Sequence, residues 1–203
     1  MGKQRLIIFY RNPVLGKVKT RLAADLGEIK ALDTYLQLCS YTCSMIKGIA
    51  YSIVVYYDEV IISNDLWNGV SAEKKLQQGN SLGDRMLNAF RQEFQQTAGG
   101  PVVIMGTDCP ALKTNHLVEA FDFLTQKDLV IGPATDGGYY LLGMNKLQSE
   151  LFINKSWGGS TVFKATMVDA ESLGLSVHLL PALSDVDRKE DLIHMKNIPG
   201  KTD

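Results

Sequence analysis

The sequence predicts an α/β fold built on a mostly parallel sheet with helices on both faces, and three observations lead there. Apolar runs of strand length alternate along the chain with segments whose apolar residues recur every three or four positions, the pattern of buried strands and amphipathic helices in turn. Polar motifs follow the ends of several runs, where open α/β sheets bind ligands. The chain has 203 residues, 45% hydrophobic and 21% charged. That is enough for one sizeable core and predicts a single domain over residues 1–203.

Leu6 to Tyr10 reads as the first buried strand, and Leu15 to Arg21 as a polar, basic loop. Ile29, Leu32, Leu36, Cys39, Cys43 and Ile46 share one helical face ending before Gly48. Ser52 to Tyr57 is a second strand. Asp58 to Gly79 is irregular, with room for a short helix and a short strand. Leu82 to about Gln96 is a helix facing inward through Met86, Phe90 and Phe94. Val102 to Met105 is a strand, and Leu117, Phe121 and Leu124 mark the next helix. Strands follow at Leu129 to Ile131 and Tyr139 to Met144; the lack of a helix between them predicts a local antiparallel addition. Phe163, Met167, Ala170 and Leu173 mark a helix, Ser176 to Leu180 a strand, and Asp187 opens a short final helix.

Composition narrows function. A net charge of −1 gives no electrostatic case for nucleic-acid or membrane binding. The three cysteines, Cys39, Cys43 and Cys109, form no disulfide or zinc framework, which suits a reducing cytosol. No run approaches membrane-spanning length, and the apolar start is too short for a signal peptide. A cytoplasmic protein is expected.

Five segments carry candidate chemistry. Gly16, Lys17, Lys19 and Arg21 follow the first strand, and three cations within five positions near a helix start suit an anion. The nucleoside-triphosphatase phosphate-loop spacing is absent, so a solvated basic loop is the plain alternative. Ser81 and Asp84 form a capping box that explains both residues, leaving Gly83 and a phosphate-reaching Arg85 unexplained. Gly106-Thr107-Asp108-Cys109-Pro110 delivers a carboxylate just past a strand end, suited to a hard cation, although an Asp before Pro also caps turns. Asp136-Gly137-Gly138 is either a hairpin turn or a place where a ligand touches backbone. Asp187 and Glu190 read as another capping box, which leaves Asp185 free to complete a metal site near Asp108. Trp157 either lines a pocket or packs in the core. The histidines have no ligand or triad spacing, and Cys109 reads as a buried small residue.

Taken in order, P-x-x-G-K-x-K-T-R-L, L-G-D-R-M, G-T-D-C-P, G-P-A-T-D-G-G-Y-Y, a Trp and D-V-D-x-x-E-D-L resemble one family over roughly residues 5–195. It comprises bacterial proteins classed with nucleotide-diphospho-sugar transferases, some labelled arsenosugar-biosynthesis glycosyltransferases. More distantly the chain is similar to 2-phospho-L-lactate guanylyltransferase and the molybdenum-cofactor guanylyltransferases. The resemblance implies the glycosyltransferase-A fold, a Rossmann-like three-layer sandwich with a divalent metal, Mg²⁺ or Mn²⁺, on the nucleotide's diphosphate. The family's acidic metal motif maps onto Asp108, with Gly106 at its first acidic position. A C-terminal ligand in related nucleotidyltransferases maps onto Asp187, with Asp185 close by; Arg188-Lys189 stand where Thr-Pro is usual.

The expected activity is a metal-dependent glycosyltransferase using a nucleotide-diphospho-sugar and a small-molecule acceptor. The alternative is a guanylyltransferase-like nucleotidyltransferase that joins a nucleoside triphosphate to a phosphorylated small molecule; a second is a non-catalytic nucleotide-binding protein. In either enzyme Asp108, Lys19 and Arg21 would carry catalysis. Gly16, Lys17, Gly83 and Arg85 would help hold phosphate. Asp136, Gly137, Gly138 and Trp157 would hold sugar or acceptor, and Asp108, Asp187 and Asp185 the metal.

Overall fold

The computed structural model describes residues 3–198. Its strands are β1 (Arg5–Tyr10), β2 (Ser52–Tyr57), β3 (Glu73–Leu76), β4 (Val102–Met105), β5 (Leu129–Pro133), β6 (Tyr139–Met144) and β7 (Val177–Leu179). They form one sheet in the order β3-β2-β1-β4-β6-β5-β7. Every pairing is parallel except those of β6, which runs antiparallel to β4 and β5. The antiparallel addition expected after Gly138 is therefore β6 itself, inserted between two parallel neighbours.

Helices α1 (Thr20–Leu26), α2 (Glu28–Met45), α3 (Leu82–Phe94), α4 (Thr114–Phe123) and α5 (Val162–Ser172) complete the fold. Strand alternation decides which face each side chain serves. On β1, Leu6, Ile8 and Tyr10 pack with Tyr35 and Cys39 of α2 and Phe121 of α4. Ile7 points the other way, toward Met86 and Phe90 of α3 and Ala170 of α5. The result is the expected three-layer α/β/α sandwich. Among the described residues no helix is long and apolar enough to cross a membrane.

Two expectations need correction. The loop predicted over Leu15 to Arg21 gives way at Thr20 to α1, which buries only Leu22 and has no side-chain cap. The last helix is a 3₁₀ segment, Lys189–Asn197, and its cap is displaced by one residue: Asp191, not Glu190, accepts from the backbone N–H groups of Asp187 and Arg188. The Asp187 side chain is thereby left for other partners.

Edge strand β3 reads Glu-Lys-Lys-Leu and has no buried residue. It is tied down by charge. Arg5, 2% exposed on β1, sends two hydrogen bonds to the Glu73 carboxylate (2.7 and 2.9 Å) and one to Glu93 of α3 (2.7 Å). Glu93 is fully buried and also accepts from the Tyr56 hydroxyl (2.6 Å) and the Lys75 ammonium (2.7 Å). Each buried charge in this network is paired, as burial requires.

From β1 the chain winds outward to β2 and β3, then crosses back to β4 on the other side of β1. The carboxyl ends of β1 and β4 therefore flank a topological switch point, where such sheets open a crevice.

Candidate functional site

A cleft of about 650 Å³ lies across that switch point, a volume within the ordinary range for small-molecule sites. At its centre the structure brings together residues far apart in sequence. Lys19 Nζ lies 2.9 Å from Asp108 Oδ1 and 3.1 Å from Asp187 Oδ1, and the Arg21 guanidinium is 3.4 Å from Asp187 Oδ2. The lysine side chain is 4% exposed, whereas the carboxylates are 41% and 37% exposed. Burial alone would lower the Lys19 pKa, but the two carboxylates outweigh it and the net shift is upward.

Local backbone explains the arrangement. Lys19 is the N-cap of α1 in a left-handed conformation (φ 47°, ψ 46°), costly for a residue with a Cβ. This turns the side chain inward while its carbonyl still accepts the first helical hydrogen bond, from Ala23. Asp108 and Asp187 meet because the Asp108 carbonyl accepts from the Val186 N–H (3.0 Å). The segment before Val186 is held along β5 by a bridge between Ala134 and Leu183.

Asp185 also lines the cleft. Burial raises its pKa to about 7, and the charge of Asp108 adds to the shift. Cys109 is 5% exposed, and burial pushes its thiol up to about 12, so it stays protonated near neutral pH. The histidines lie apart from this cluster: His116 Nδ1 accepts from the Lys113 N–H, and His178 stacks on Phe123 beside Glu119.

The remaining predicted residues divide by position. Arg85 lines the cleft, its Nε donating to the Gly79 carbonyl. The Ser81–Asp84 capping box forms as read. Gly83 lies behind the cleft wall, where a Cβ would come within 2.2 Å of Trp157 Nε1; the missing side chain lets the indole lie against α3. Trp157 forms that wall, edge-on to Tyr139 and stacked on Phe152. Asp136 takes the plain turn role, accepting from the Gly138 N–H (2.9 Å), and also lines the cleft. Gly137 has φ +91°, and a Cβ there would collide with the Ser160 carbonyl, so the turn packs directly on the loop before α5.

Gly16 and Lys17 are not brought in. Gly16 lies against the Glu28 carboxylate, and Lys17 pairs with Glu59 (2.9 Å) outside the cleft lining. Sequence reading missed Arg11, Asp58 and Gln77, which line the cleft beyond the ends of β1, β2 and β3. Their signal was position alone: each directly follows a strand.

Among the described residues, no three carboxylate, imidazole or thiol groups converge as a metal cage. What the chain offers is two hard oxygen donors, Asp108 and Asp187, sharing one ammonium. That donor set fits a cation carried by phosphates, which needs only one or two carboxylates from the protein.

A sandwich on a mostly parallel sheet, with this cleft at its switch point, is the architecture of nucleotidyltransferases and nucleotide-diphospho-sugar transferases. Residues 48–159 match the family described as "Uncharacterized protein conserved in bacteria (DUF2064)", and the chain belongs to that family. It is 29% identical to a "putative nucleotide-diphospho-sugar transferase" from Desulfovibrio desulfuricans G20, with a TM-score of 0.88 over 99% of this chain and 90% of that one. It is 26% identical over 193 residues to the 2-phospho-L-lactate guanylyltransferase of Methanocaldococcus vulcanius, covering 92% of this chain and 82% of the relative. The inositol-1-phosphate CTP transferase of T. maritima shares the fold (TM-score 0.58) at 14% identity, over 99% of this chain and 98% of that one.

Proposed function

We propose that this protein is a cytosolic, single-domain nucleotidyltransferase that joins a nucleoside triphosphate to a small molecule bearing a phosphate or phosphonate. The observation that carries this reading is the buried Lys19 ammonium at the switch point, held between Asp108 and Asp187 with Arg21 beside it. An oxygen of the acceptor's phosphate attacks the α-phosphorus of the triphosphate. The new P–O–P link forms as the bond from the α-phosphorus to the bridging oxygen breaks, and pyrophosphate leaves with the electron pair. Lys19, Arg21 and Arg85 offset phosphate charge, most usefully on the departing pyrophosphate. Asp108 and Asp187 would hold Mg²⁺ or Mn²⁺ arriving with the triphosphate, and that ion would supply further charge compensation. Trp157 and the turn at Asp136 to Gly138 wall the acceptor end. Likeness along almost the whole chain to a guanylyltransferase supports this reading.

Glycosyl transfer from a nucleotide-diphospho-sugar is the second reading, favoured by the D. desulfuricans relative at 29% identity. Thermal melts with Mg²⁺ or Mn²⁺ and a panel of nucleoside triphosphates and nucleotide sugars separate the two, because a ligand of the folded state raises the melting temperature. The expected result is a larger shift with a triphosphate, and pyrophosphate release once a phosphorylated acceptor is added. A larger shift with a nucleotide sugar favours glycosyl transfer. Binding without turnover across a broad acceptor screen makes the protein a nucleotide binder, and no shift with any nucleotide refutes all three readings.

A further inference from the structure

We infer that the acceptor carries a protonated amine, seated between Asp136 and Asp185 and against the rings of Trp157 and Tyr139, so that the small molecule taken by this cleft is an aminoalkyl phosphate or phosphonate. This rests on the nucleotidyl-transfer reading above and adds the chemistry of the acceptor. It departs from the acceptor in the name of the Methanocaldococcus vulcanius relative, a phospholactate, which carries a carboxylate.

Charge is divided unevenly along the cleft. Its lining holds the cations Arg11, Lys19, Arg21 and Arg85 and the carboxylates Asp58, Asp108, Asp136, Asp185 and Asp187. Arg11 stands 3.7 Å from Asp58, while Lys19 and Arg21 serve Asp108 and Asp187. Arg85 turns to the Gly79 carbonyl. Among the described residues this leaves Asp136 and Asp185 without an ion-pair partner. Asp136 Oδ1 accepts from the Gly138 N–H, and Oδ2 has no hydrogen bond. The recessed Asp185 carboxylate accepts none from the described residues. The charges of Asp108, Asp136 and Asp187 all act on it, and Lys19 offsets only part of their effect. A carboxylate withdrawn from water is stable when it is paired, and here the partner must come with a ligand.

The same end of the cleft is aromatic. Tyr139 opens β6 directly after the Asp136-Gly137-Gly138 turn, and that turn packs on Ser160, in the loop that bears Trp157. The two rings stand at 89° with centroids 6.5 Å apart, and both line the cleft. Faces of such rings attract an ammonium group. They offer no ligand atom to a hard metal ion, which takes oxygen donors, and among the described residues no third carboxylate completes a metal cage. Two carboxylates beside two aromatic rings therefore suit an organic ammonium. A second anionic group on the acceptor would face like charges there.

Pyrophosphate release tests this, measured on the full chain with Mg²⁺ and the nucleoside triphosphate that stabilises it most. The acceptors are aminoethyl, propyl and carboxyethyl phosphate, which differ in one terminal group. In the wild type kcat/KM should be about thirtyfold higher for the aminoethyl than for the propyl ester. The carboxyethyl ester should fall about tenfold below the propyl ester. Asp136→Asn keeps an oxygen for the Gly138 N–H and removes the charge, so its preference for aminoethyl over propyl should drop about fivefold. Trp157→Leu should lower the same preference about threefold. Each preference is a ratio of two acceptors on one protein, so partial loss of folded enzyme cancels. An unchanged ratio in Asp136→Asn overturns the assignment. Equal rates with the three acceptors, or a preference for carboxyethyl phosphate, overturn it and leave nucleotidyl transfer standing. No pyrophosphate release with any of the three overturns both.

Discussion

Replacing Lys19 with methionine removes the ammonium and keeps a flexible apolar stem of similar length. The lost contacts are those at 2.9 Å to Asp108 and 3.1 Å to Asp187. Removing one partner of a fully buried ion pair costs roughly 3–5 kcal/mol. Here the carboxylates are 41% and 37% exposed and can rehydrate through the cleft, which reduces the loss to about 1–2 kcal/mol. For a chain of this length that lowers the melting temperature by about 4 °C. The pH dependence has a definite sign. The Lys19 pKa is raised in the folded state. Its stabilisation is therefore complete below the unfolded value near ~10.4 and fades as pH rises through the higher folded value. The gap between wild type and variant should be flat from pH 7 to 9, roughly, and close only in stronger base. Metal supplies an independent readout: with the ammonium gone, Asp108 loses its cation and Asp187 keeps only the exposed Arg21 guanidinium at 3.4 Å. Millimolar Mn²⁺ should then raise the melting temperature of the variant more than that of the wild type, with no nucleotide present. A variant that melts with the wild type would refute the counterion role. Equal Mn²⁺ shifts in the two proteins would refute the idea that ammonium and metal compete for the same oxygens.

Glu93→Ala should cost about 3 kcal/mol and about 9 °C, because Arg5, Tyr56 and Lys75 all lose a buried partner; a loss under about 1 kcal/mol in guanidinium unfolding would mean that Glu73 alone suffices for Arg5. Gly83→Ala gains helix propensity of about 1 kcal/mol but drives the Trp157 indole off α3. Its fluorescence should shift to the red at nearly unchanged stability, with fully buried Trp67 as the constant background. Unchanged emission would show that the indole does not lie where Gly83 leaves room.

Much of the fold was legible because apolar patterning is local. The runs that became β1, β2 and β4 are uninterrupted, and the stripe over Ile29 to Ile46 has too regular a period to be anything but a helix. Helix α1 was not legible, since it buries one side chain, lacks a cap residue and begins at a strained lysine. The Asp187–Glu190 box was misread because Asp191, a residue later, serves the cap equally well in sequence. The site was half legible. Carboxylates and cations at strand ends could be nominated, but Lys17 and Lys19 look alike in the sequence. Only the backbone turn at Lys19 sends one inward while its neighbour but one meets Glu59 at the surface. Arg11, Asp58 and Gln77 belong to three separate loops and become a set only through strand register.

The charge network on β3 bears on that register. A strand normally finds its alignment by burying alternate side chains, and a slip of one residue turns every side chain to the opposite face. β3 has no buried residue with which to do this. Its alignment falls instead to Arg5, which reaches past β2 from β1 to grip both oxygens of Glu73. A one-residue slip would carry Glu73 out of that grip by about 3.3 Å and turn Gln77 away from the cleft. Arg5 thus acts as an indexing pin at the far end of the strands: a salt bridge at the start of β3 decides how the residue just past its other end, Gln77, faces the cleft.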